Sequence, residues 1–175
     1  MNSIKQIEVL LADRLVGRLA LTKEGLCAFE YAPDWLGSGF SISPFELPLR
    51  SGVFIAKPRP FEGGFGVFDD CLPDGWGLLI LDRYLQQKGI NPRALTLLDR
   101  LALVGSSGRG ALEFRPDHSV VTRQDYADFE KLALEAERIL DSDEYKGEGI
   151  EEFQDRGGSP GGARPKIFAR YEGKE

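Results

Sequence analysis

The sequence has few cysteines and histidines, and their scarcity excludes several classes of protein. Among 175 residues there are two cysteines, Cys27 and Cys71, and one histidine, His118. The cysteines stand far apart and form no CxxC or Cys/His cluster, so neither a zinc site nor a disulfide framework is predicted. We expect both to be buried thiols in a reducing cytoplasm. His118 lies in the turn "PDHSV", which supplies neither a partner nor a cleft for base catalysis.

Positive charge and long apolar runs are also missing. Lys and Arg number 22 against 28 Asp and Glu, which gives a net charge of -6. No general cationic field exists to attract a phosphate backbone, so direct nucleic-acid binding is disfavoured. No run of about 18 apolar residues occurs, and "MNSIKQIEVLLADR" at the start has no cationic segment followed by a long apolar one. We therefore expect a soluble cytoplasmic protein without membrane contact.

What is present predicts an α+β fold that begins with an antiparallel, barrel-like sheet. In residues 5–31, short apolar runs are separated by "ADR" and "TKEG", which predicts a three-strand meander with Gly25 at a positive φ. The stretches "PLRSGVFIAKPRP" and "FGVFDD" predict further short strands, and strands that contain prolines are typical of sheet edges or barrel rims. "GALEFRP" predicts one more strand.

Three segments predict helices, of which the first two pack on this sheet and the third is a linker helix. The first begins after Asp74 and ends at Gly89. The second, "NPRALTLLDRLALVG", has Asn91 as its cap and Gly105 as its stop. The third follows Thr122, which has the spacing of a capping box with the acidic residue three positions later. We expect this third helix to bury one face: Tyr126, Phe129, Leu132, Ala133, Ala136, Ile139 and Leu140.

Two stretches are candidate sites that their context argues against. "GSSGRGAL" at 105–112 could cradle an anion with the help of Arg109. It follows a helix and precedes a strand, however, the reverse of the order in dinucleotide fingerprints and Walker loops, so a helix stop with a tight turn is favoured. "FDDCLPDGWG" brings together Asp69, Asp70 and Asp74, which could hold a metal or share a proton. No histidine or further ligand stands nearby, and turn and N-cap roles account for Asp74.

The strongest candidate site is "GGSPGGARPK" at 157–166. Its glycines let the backbone approach a phosphate closely, Ser159 offers a hydroxyl, and Arg164 and Lys166 offer positive charge. It is not a Walker loop, because the lysine does not follow a glycine directly. The strand predicted after it, "KIFARY", matches the glycine-rich cover that kinases fold over ATP. Composition alone leaves a flexible tail as an open alternative.

Three long motifs, taken in order, resemble those of the HipA-type serine/threonine kinases, the toxins of bacterial toxin–antitoxin pairs. They are "FGVFDDCLPDGWGLLILDRYL", "LTLLDRLALVGSSGRGALEFRP" and "GGSPGGARPKIF". The segments "YAPDWL" and "PLR" are similar to that family's N-terminal subdomain, so the resemblance covers nearly all of the chain.

The resemblance implies a division of the chain and a role for the loop. It places an N-terminal sheet subdomain over 1–116, a strand and linker helix over 117–146, and the loop with the first strand of a kinase-like region over 147–175. In the family this loop covers the phosphates of ATP, and phosphorylation of its serine, here Ser159, expels the loop and switches activity off. The loop residues carried over are Gly158, Ser159, Gly161, Gly162, Ala163, Arg164 and Lys166.

The resemblance also implies what these residues lack. The family's nucleotide-anchoring lysine, catalytic base and Mg²⁺ ligands lie downstream of the loop, in a helical lobe for which this chain has no residues. We therefore expect no catalytic residue, no bound ATP or Mg²⁺ and no kinase activity in this chain alone. Expected partners are a helix-turn-helix antitoxin and the missing kinase lobe, and known family substrates include an aminoacyl-tRNA synthetase. A second hypothesis is a stand-alone, antitoxin-like regulator of a split HipA-type kinase, although a pure blocker would not need the glycine-rich loop.

Overall fold

The structure is a computed structural model that describes residues 3–108, 110–119 and 129–141, together with residues 150, 153, 162, 164 and 165. The chain forms two compact units. The first unit comprises Met1–Leu72 and Leu95–Ser119, and the second comprises Pro73–Ala94 and Val120–Glu175. These units cut the chain at other places than 1–116, 117–146 and 147–175, and that division stays a prediction.

The first unit is built on a five-stranded sheet in which all neighbouring strands are antiparallel. The strand order is β4-β3-β2-β1-β5, so the predicted α+β class and the meander of the first three strands are confirmed. Ala12 and Asp13, the residues between β1 and β2, both have positive φ, which matches the turn to the right-handed twist of the strands. Gly25 has the predicted positive φ between β2 and β3. The strands are β1 Gln6–Leu11, β2 Arg14–Leu21, β3 Cys27–Tyr31, β4 Val53–Ile55 and β5 Leu112–Arg115.

The proline-flanked stretch forms β4, which is an outer strand as predicted, but "FGVFDD" is not a strand. It contains the short helix α2, Gly66–Asp69. Phe65 and Phe68 are both buried. Side chains three residues apart share one side of a helical turn, whereas in a strand they point to opposite faces. A helical turn therefore lets both phenylalanines enter the same core.

The prediction of a single helix between Asn91 and Gly105 is wrong, because two separate helices form there. A 3-10 helix covers Pro92–Ala94, and a separate α-helix, α4, covers Leu97–Val104. The Thr96 hydroxyl accepts from the Asp99 N–H at 3.2 Å, and the Asp99 carboxylate accepts from the Thr96 N–H at 3.0 Å. This reciprocal capping box begins a new helix. Gly105 ends α4, as predicted, and it has a positive φ.

Three further helices complete the described elements: α1 Pro33–Ser38, α3 Gly75–Gln87 and α5 Phe129–Asp141. The predicted start of α3 after Asp74 and its end before Gly89 are confirmed. In the part of the chain that the structure describes, every helix is too short or too polar to cross a membrane.

The core of the first unit is rich in aromatic rings that cover one face of the sheet. The ring of Phe68 lies 5.4 Å from that of Phe29 and 6.4 Å from that of Phe114. Such tilted pairs add about 0.5–1.5 kcal/mol beyond the burial of their surface. Cys27 and Cys71 are free thiols buried in the same core, as predicted.

The second unit has its own core, formed by α3, α5 and two residues beyond α5. It consists of Trp76, Ile80, Leu132, Ala136, Ile139, Ile150 and Phe153. Ala133 and Leu140 were predicted to be buried but are exposed. Each stands one residue away from the stripe of Leu132, Ala136 and Ile139, and one residue is about 100° of helical rotation. Thr122, Tyr126 and the segment "KIFARY", for which a strand is predicted, lie outside the described residues, as does the side chain of Phe129.

Candidate functional site

The glycine-rich stretch at 157–166 is described at three positions, Gly162, Arg164 and Pro165, and all three are exposed. Gly162 has a φ of +87°, a conformation that residues with a side chain rarely adopt. The other loop residues carried over from the resemblance lie outside the described residues: Gly158, Ser159, Gly161, Ala163 and Lys166. The structure therefore leaves their role as a prediction.

The first turn of α3 holds this loop through a backbone hydrogen bond. The Trp76 N–H donates to the Gly162 carbonyl at 2.9 Å. The first N–H groups of an α-helix have no partner inside the helix, so the bond satisfies one of these donors and ties a carbonyl near the end of the chain to the start of α3. Sequence reasoning placed Trp76 on the apolar stripe of this helix but missed its contact with the loop.

The side chain of Trp76 is buried and packs against another aromatic ring. It is 1% exposed, and its ring meets that of Phe153 edge to face, with centroids 5.5 Å apart and planes at 86°. Phe153 stands nine positions before Gly162, so Trp76 contacts the chain on both sides of Ser159. Among the described residues, the buried indole Nε1 of Trp76 finds no hydrogen-bond acceptor. The ring thus serves this site through packing.

The carboxylates of "FDDCLPDGWG" have structural positions. Asp69 is the last residue of α2, Asp70 is its C-cap, and Asp74 occupies the N-cap position of α3 without a side-chain hydrogen bond to the helix backbone. Burial raises the pKa of the Asp69 carboxyl, and the negative charges of Asp70 and Glu62 raise it further. In the described ranges, no group of three His, Cys, Asp or Glu side chains could hold a metal ion.

The "GSSGRGAL" stretch is a helix stop whose donors are already used. The Ser106 N–H and hydroxyl donate to the Asp117 carboxylate at 3.0 and 2.6 Å. Burial alone would raise the pKa of Asp117, but these bonds and those from Ser119 outweigh it and hold the pKa below its usual value. A carboxylate of the chain itself therefore stands where the anion of a phosphate loop would be expected. Arg109 lies outside the described residues, and His118 is exposed.

Comparison with known proteins decides the family. A family model described as "HipA N-terminal domain" matches residues 7–115. The chain belongs to the HipA N-terminal domain family. The matched range contains all five strands, apart from Gln6 at the start of β1, and helices α1, α2, α3 and α4.

A solved HipA structure shows the same fold. It comes from the complex titled "Shewanella oneidensis MR-1 Toxin Antitoxin System HipA, HipB and its operator DNA complex" and is similar to this chain with a TM-score of 0.50 and 22% sequence identity. The match covers 81% of this chain and 32% of that HipA chain. This chain therefore corresponds to about a third of the solved protein.

The HipA N-terminal domain match ends at residue 115, before the glycine-rich loop. Two parts of the candidate site thus have different support. Trp76 lies inside the matched range, whereas Phe153 and Gly162 lie outside it. The contact between Trp76 and Gly162 links the HipA N-terminal domain to the loop.

Proposed function

We propose that this chain is the N-terminal portion of a HipA-like serine/threonine protein kinase toxin. In this role it supports a glycine-rich loop over ATP and contacts the antitoxin or the catalytic lobe. The family match over residues 7–115 supports the HipA assignment. The resemblance of "GGSPGGARPK" to the family's loop motif supports the kinase role.

The observation that carries the proposal is the hydrogen bond between the Trp76 N–H and the Gly162 carbonyl. A loop that covers phosphates must be held in place while its own N–H groups stay available, because those groups contact the anion. Anchoring through a carbonyl meets this condition. Arg164, exposed two residues after Gly162, adds a cation suited to a phosphate.

The described loop residues fit a phosphate but supply no ligands for Mg²⁺. Gly162 offers exposed backbone with a positive φ, and Arg164 offers positive charge. Among the described residues, no group of three His, Cys, Asp or Glu side chains could hold a metal ion. Phosphoryl transfer also needs an anchoring lysine and a residue that orients the hydroxyl. In our proposal the catalytic lobe contributes all of these, and the 175 residues alone bind no nucleotide stably and do not catalyse.

Ser159 is the proposed regulatory switch of the loop. A phosphate on Ser159 adds about -1.5 to -2 charges at neutral pH. It would stand within a few residues of Arg164 and Lys166 on one side and of the acidic stretch "EGIEEFQD" on the other. We propose that repulsion by these carboxylates and pairing with the two cations move the loop off the nucleotide.

The partners follow the same proposal. The solved relative is in a complex with HipB and operator DNA, and we propose that this chain meets a helix-turn-helix antitoxin of that kind. The net charge of -6 disfavours direct contact with DNA, so the antitoxin would carry that contact. An aminoacyl-tRNA synthetase is the proposed class of protein substrate.

The test combines the chain with the remaining lobe of a HipA-type kinase, supplied as a separate polypeptide, and with ATP and Mg²⁺. Mass spectrometry then locates the phosphate. We expect it on Ser159, and none when the lobe is left out. Phosphate on other residues with Ser159 unmodified would contradict the switch, and binding of the lobe without any phosphorylation would favour the stand-alone regulator.

A matched pair of glycine variants tests the anchor. Gly162→Ala forces a side chain onto a φ of +87°, at a cost of about 1 kcal/mol or more, so we expect Ser159 phosphorylation to slow by about tenfold. Gly37→Ala is the control, because a Cβ there meets nothing within 4 Å. Equal phosphorylation rates for the two variants would count against the anchor.

A further inference from the structure

The outer edge of β4 offers backbone groups to another strand. β4 is the first strand in the order of the sheet. The Ala56 N–H donates to the Cys27 carbonyl of β3 at 2.8 Å. Hydrogen-bonded positions alternate along an antiparallel pair, so Phe54 also bonds toward β3. Val53 and Ile55 therefore direct their N–H and C=O groups away from β3, where the structure describes no further strand.

The side chains of this edge are apolar and exposed. Val53 is 55% exposed and Ile55 is 61% exposed, whereas Phe54 between them is 6% exposed. Proteins usually protect an open edge with charged side chains on the edge strand itself. β4 instead presents two β-branched apolar residues, which is the character of a strand that accepts a neighbour.

Positive charge flanks β4 on both sides. From Leu47 to Phe61 the sequence contains Arg50, Lys57 and Arg59 and no acidic residue, although the chain as a whole carries -6. All three cations are exposed. Arg50 lies over the Phe54 ring at 4.2 Å, and in the part of the chain described here none of the three forms an ion pair.

Prolines limit how far a docked strand can extend. Pro48 lies before β4, and Pro58 and Pro60 lie after it. Proline cannot donate to a ladder. These prolines leave residues 49–57 between them, and β4 covers three of these, or about 10 Å. On the exposed face, Glu30 of β3 lies opposite Val53, and its other neighbour Arg18 of β2 pairs with Glu8 of β1 at 3.4 Å. The three flanking cations outnumber the carboxylate of Glu30.

We propose that the β4 edge binds an extended segment of a partner protein, in which alternating apolar residues stand between acidic flanks. The segment adds to the sheet as a sixth strand, its apolar side chains pack beside Val53 and Ile55, and its carboxylates face Arg50, Lys57 and Arg59. This inference rests on the first unit alone and does not depend on the glycine-rich loop.

Three labelled peptides test it with the full chain by fluorescence anisotropy. The first has alternating valines between aspartates, the second has the same valines between lysines, and the third has the aspartates but a proline in place of the central valine. We expect the aspartate peptide to bind at least about tenfold more tightly than the lysine peptide, with an advantage that falls in high salt. The proline peptide should bind no better than the lysine peptide, because it loses a ladder donor and its extended pairing.

Chain variants locate the site. Lys57→Glu with Arg59→Glu should weaken the aspartate peptide by about tenfold or more, whereas Lys23→Glu, an exposed cation in the turn before β3, should not. Circular dichroism confirms that the variants fold. Equal binding of aspartate and lysine peptides, full binding of the proline peptide, no binding at all, or equal weakening by Lys23→Glu would each overturn the proposal. So would a dimer of the free chain that the double variant dissociates, because the occupant would then be a second copy.

Discussion

The carboxylate of Asp99 provides a sharp test of how the first unit is held together. Asp99 is 3% exposed and is the one charged residue among the described residues that is buried. Its Oδ1 accepts from the Ile4 N–H at 2.9 Å, and its Oδ2 accepts from the Thr96 N–H and hydroxyl at 3.0 and 2.7 Å. One side chain thus starts α4 and also fixes the chain that leads into β1. We predict that Asp99→Ala destabilises the protein more than the loss of a helix cap would.

The expected loss of unfolding free energy follows from the groups that lose their hydrogen-bond partner. Loss of a helix cap costs about 0.5–2 kcal/mol. The N–H of Ile4, which is part-buried, would lose its acceptor, at the lower end of the cost of about 1–3 kcal/mol for a buried N–H. Together they give about 2–3 kcal/mol for Asp99→Ala, which lowers the Tm by about 4–12 °C for a chain of this size. Asp99→Asn keeps one acceptor oxygen and the shape of the side chain, so we expect a loss of about 1–2 kcal/mol.

The pH dependence has a defined sign. Burial alone would raise the pKa of Asp99, but the hydrogen bonds from Ile4 and Thr96 outweigh it and hold the pKa below its usual value. A carboxyl whose pKa is lower in the folded than in the unfolded state stabilises the fold above its unfolded pKa of about 3.9 and loses this effect as the pH falls through the folded value. The loss of unfolding free energy in Asp99→Asn, relative to the wild type, should therefore be largest near neutral pH and shrink below about pH 4.

Urea unfolding of the wild type and both variants, measured at neutral pH and at about pH 3, tests this account. Glu24→Gln is the control, because Glu24 is exposed in the turn between β2 and β3. A variant Asp99→Ala as stable as the wild type at neutral pH would refute the network. If Asp99→Asn loses the same unfolding free energy at both pH values, the stabilising role of the ionised carboxylate is refuted.

Two glycine substitutions and one thiol reagent test the packing of the first unit. Gly17→Ala places a Cβ against the Glu30 carbonyl and the Phe29 ring, so we expect a loss of about 2–3 kcal/mol in urea unfolding. Gly37→Ala, in helix α1 with nothing within 4 Å of the added Cβ, should leave stability unchanged or raise it by up to about 1 kcal/mol. Gly105→Ala combines a φ of +52° with a collision with a carboxylate, and calorimetry should show a Tm lowered by at least about 5 °C. Burial raises the pKa of Cys27 and Cys71 to about 11, so a disulfide reagent at about pH 8 should modify them at least about 100-fold more slowly in the folded than in the urea-unfolded chain. Fast modification of the folded chain would show that these thiols are accessible.

Local patterns predicted the elements that depend on neighbouring residues. Alternating apolar residues and a glycine turn were enough for the meander of β1, β2 and β3, because strand period and turn chemistry act within a few residues. Gly89 and Gly105 marked the ends of α3 and α4 for the same reason. The order of the three long motifs was also enough to indicate the HipA family.

The errors arose where contacts between distant residues decided the outcome. "FGVFDD" has strand composition, yet Phe65 and Phe68 enter one core only from a helical turn. The new helix that begins at Leu97 depends on the capping box of Asp99. The Asp99 carboxylate also accepts a hydrogen bond from the Ile4 N–H, 95 positions earlier. Neither requirement can be seen in a window of neighbouring residues.

For the candidate site, the sequence by itself determined the chemistry of the loop, since glycines, a serine and two cations at 157–166 define what it can contact. It also determined the family and the α+β class. The tertiary structure alone decided that the loop is tied to α3 through the Trp76 N–H and the Gly162 carbonyl, which stand far apart in the chain. The physical reason is that a free N–H at the start of a helix can donate to any carbonyl that folding brings to it, and the residue type at either end does not specify the pair.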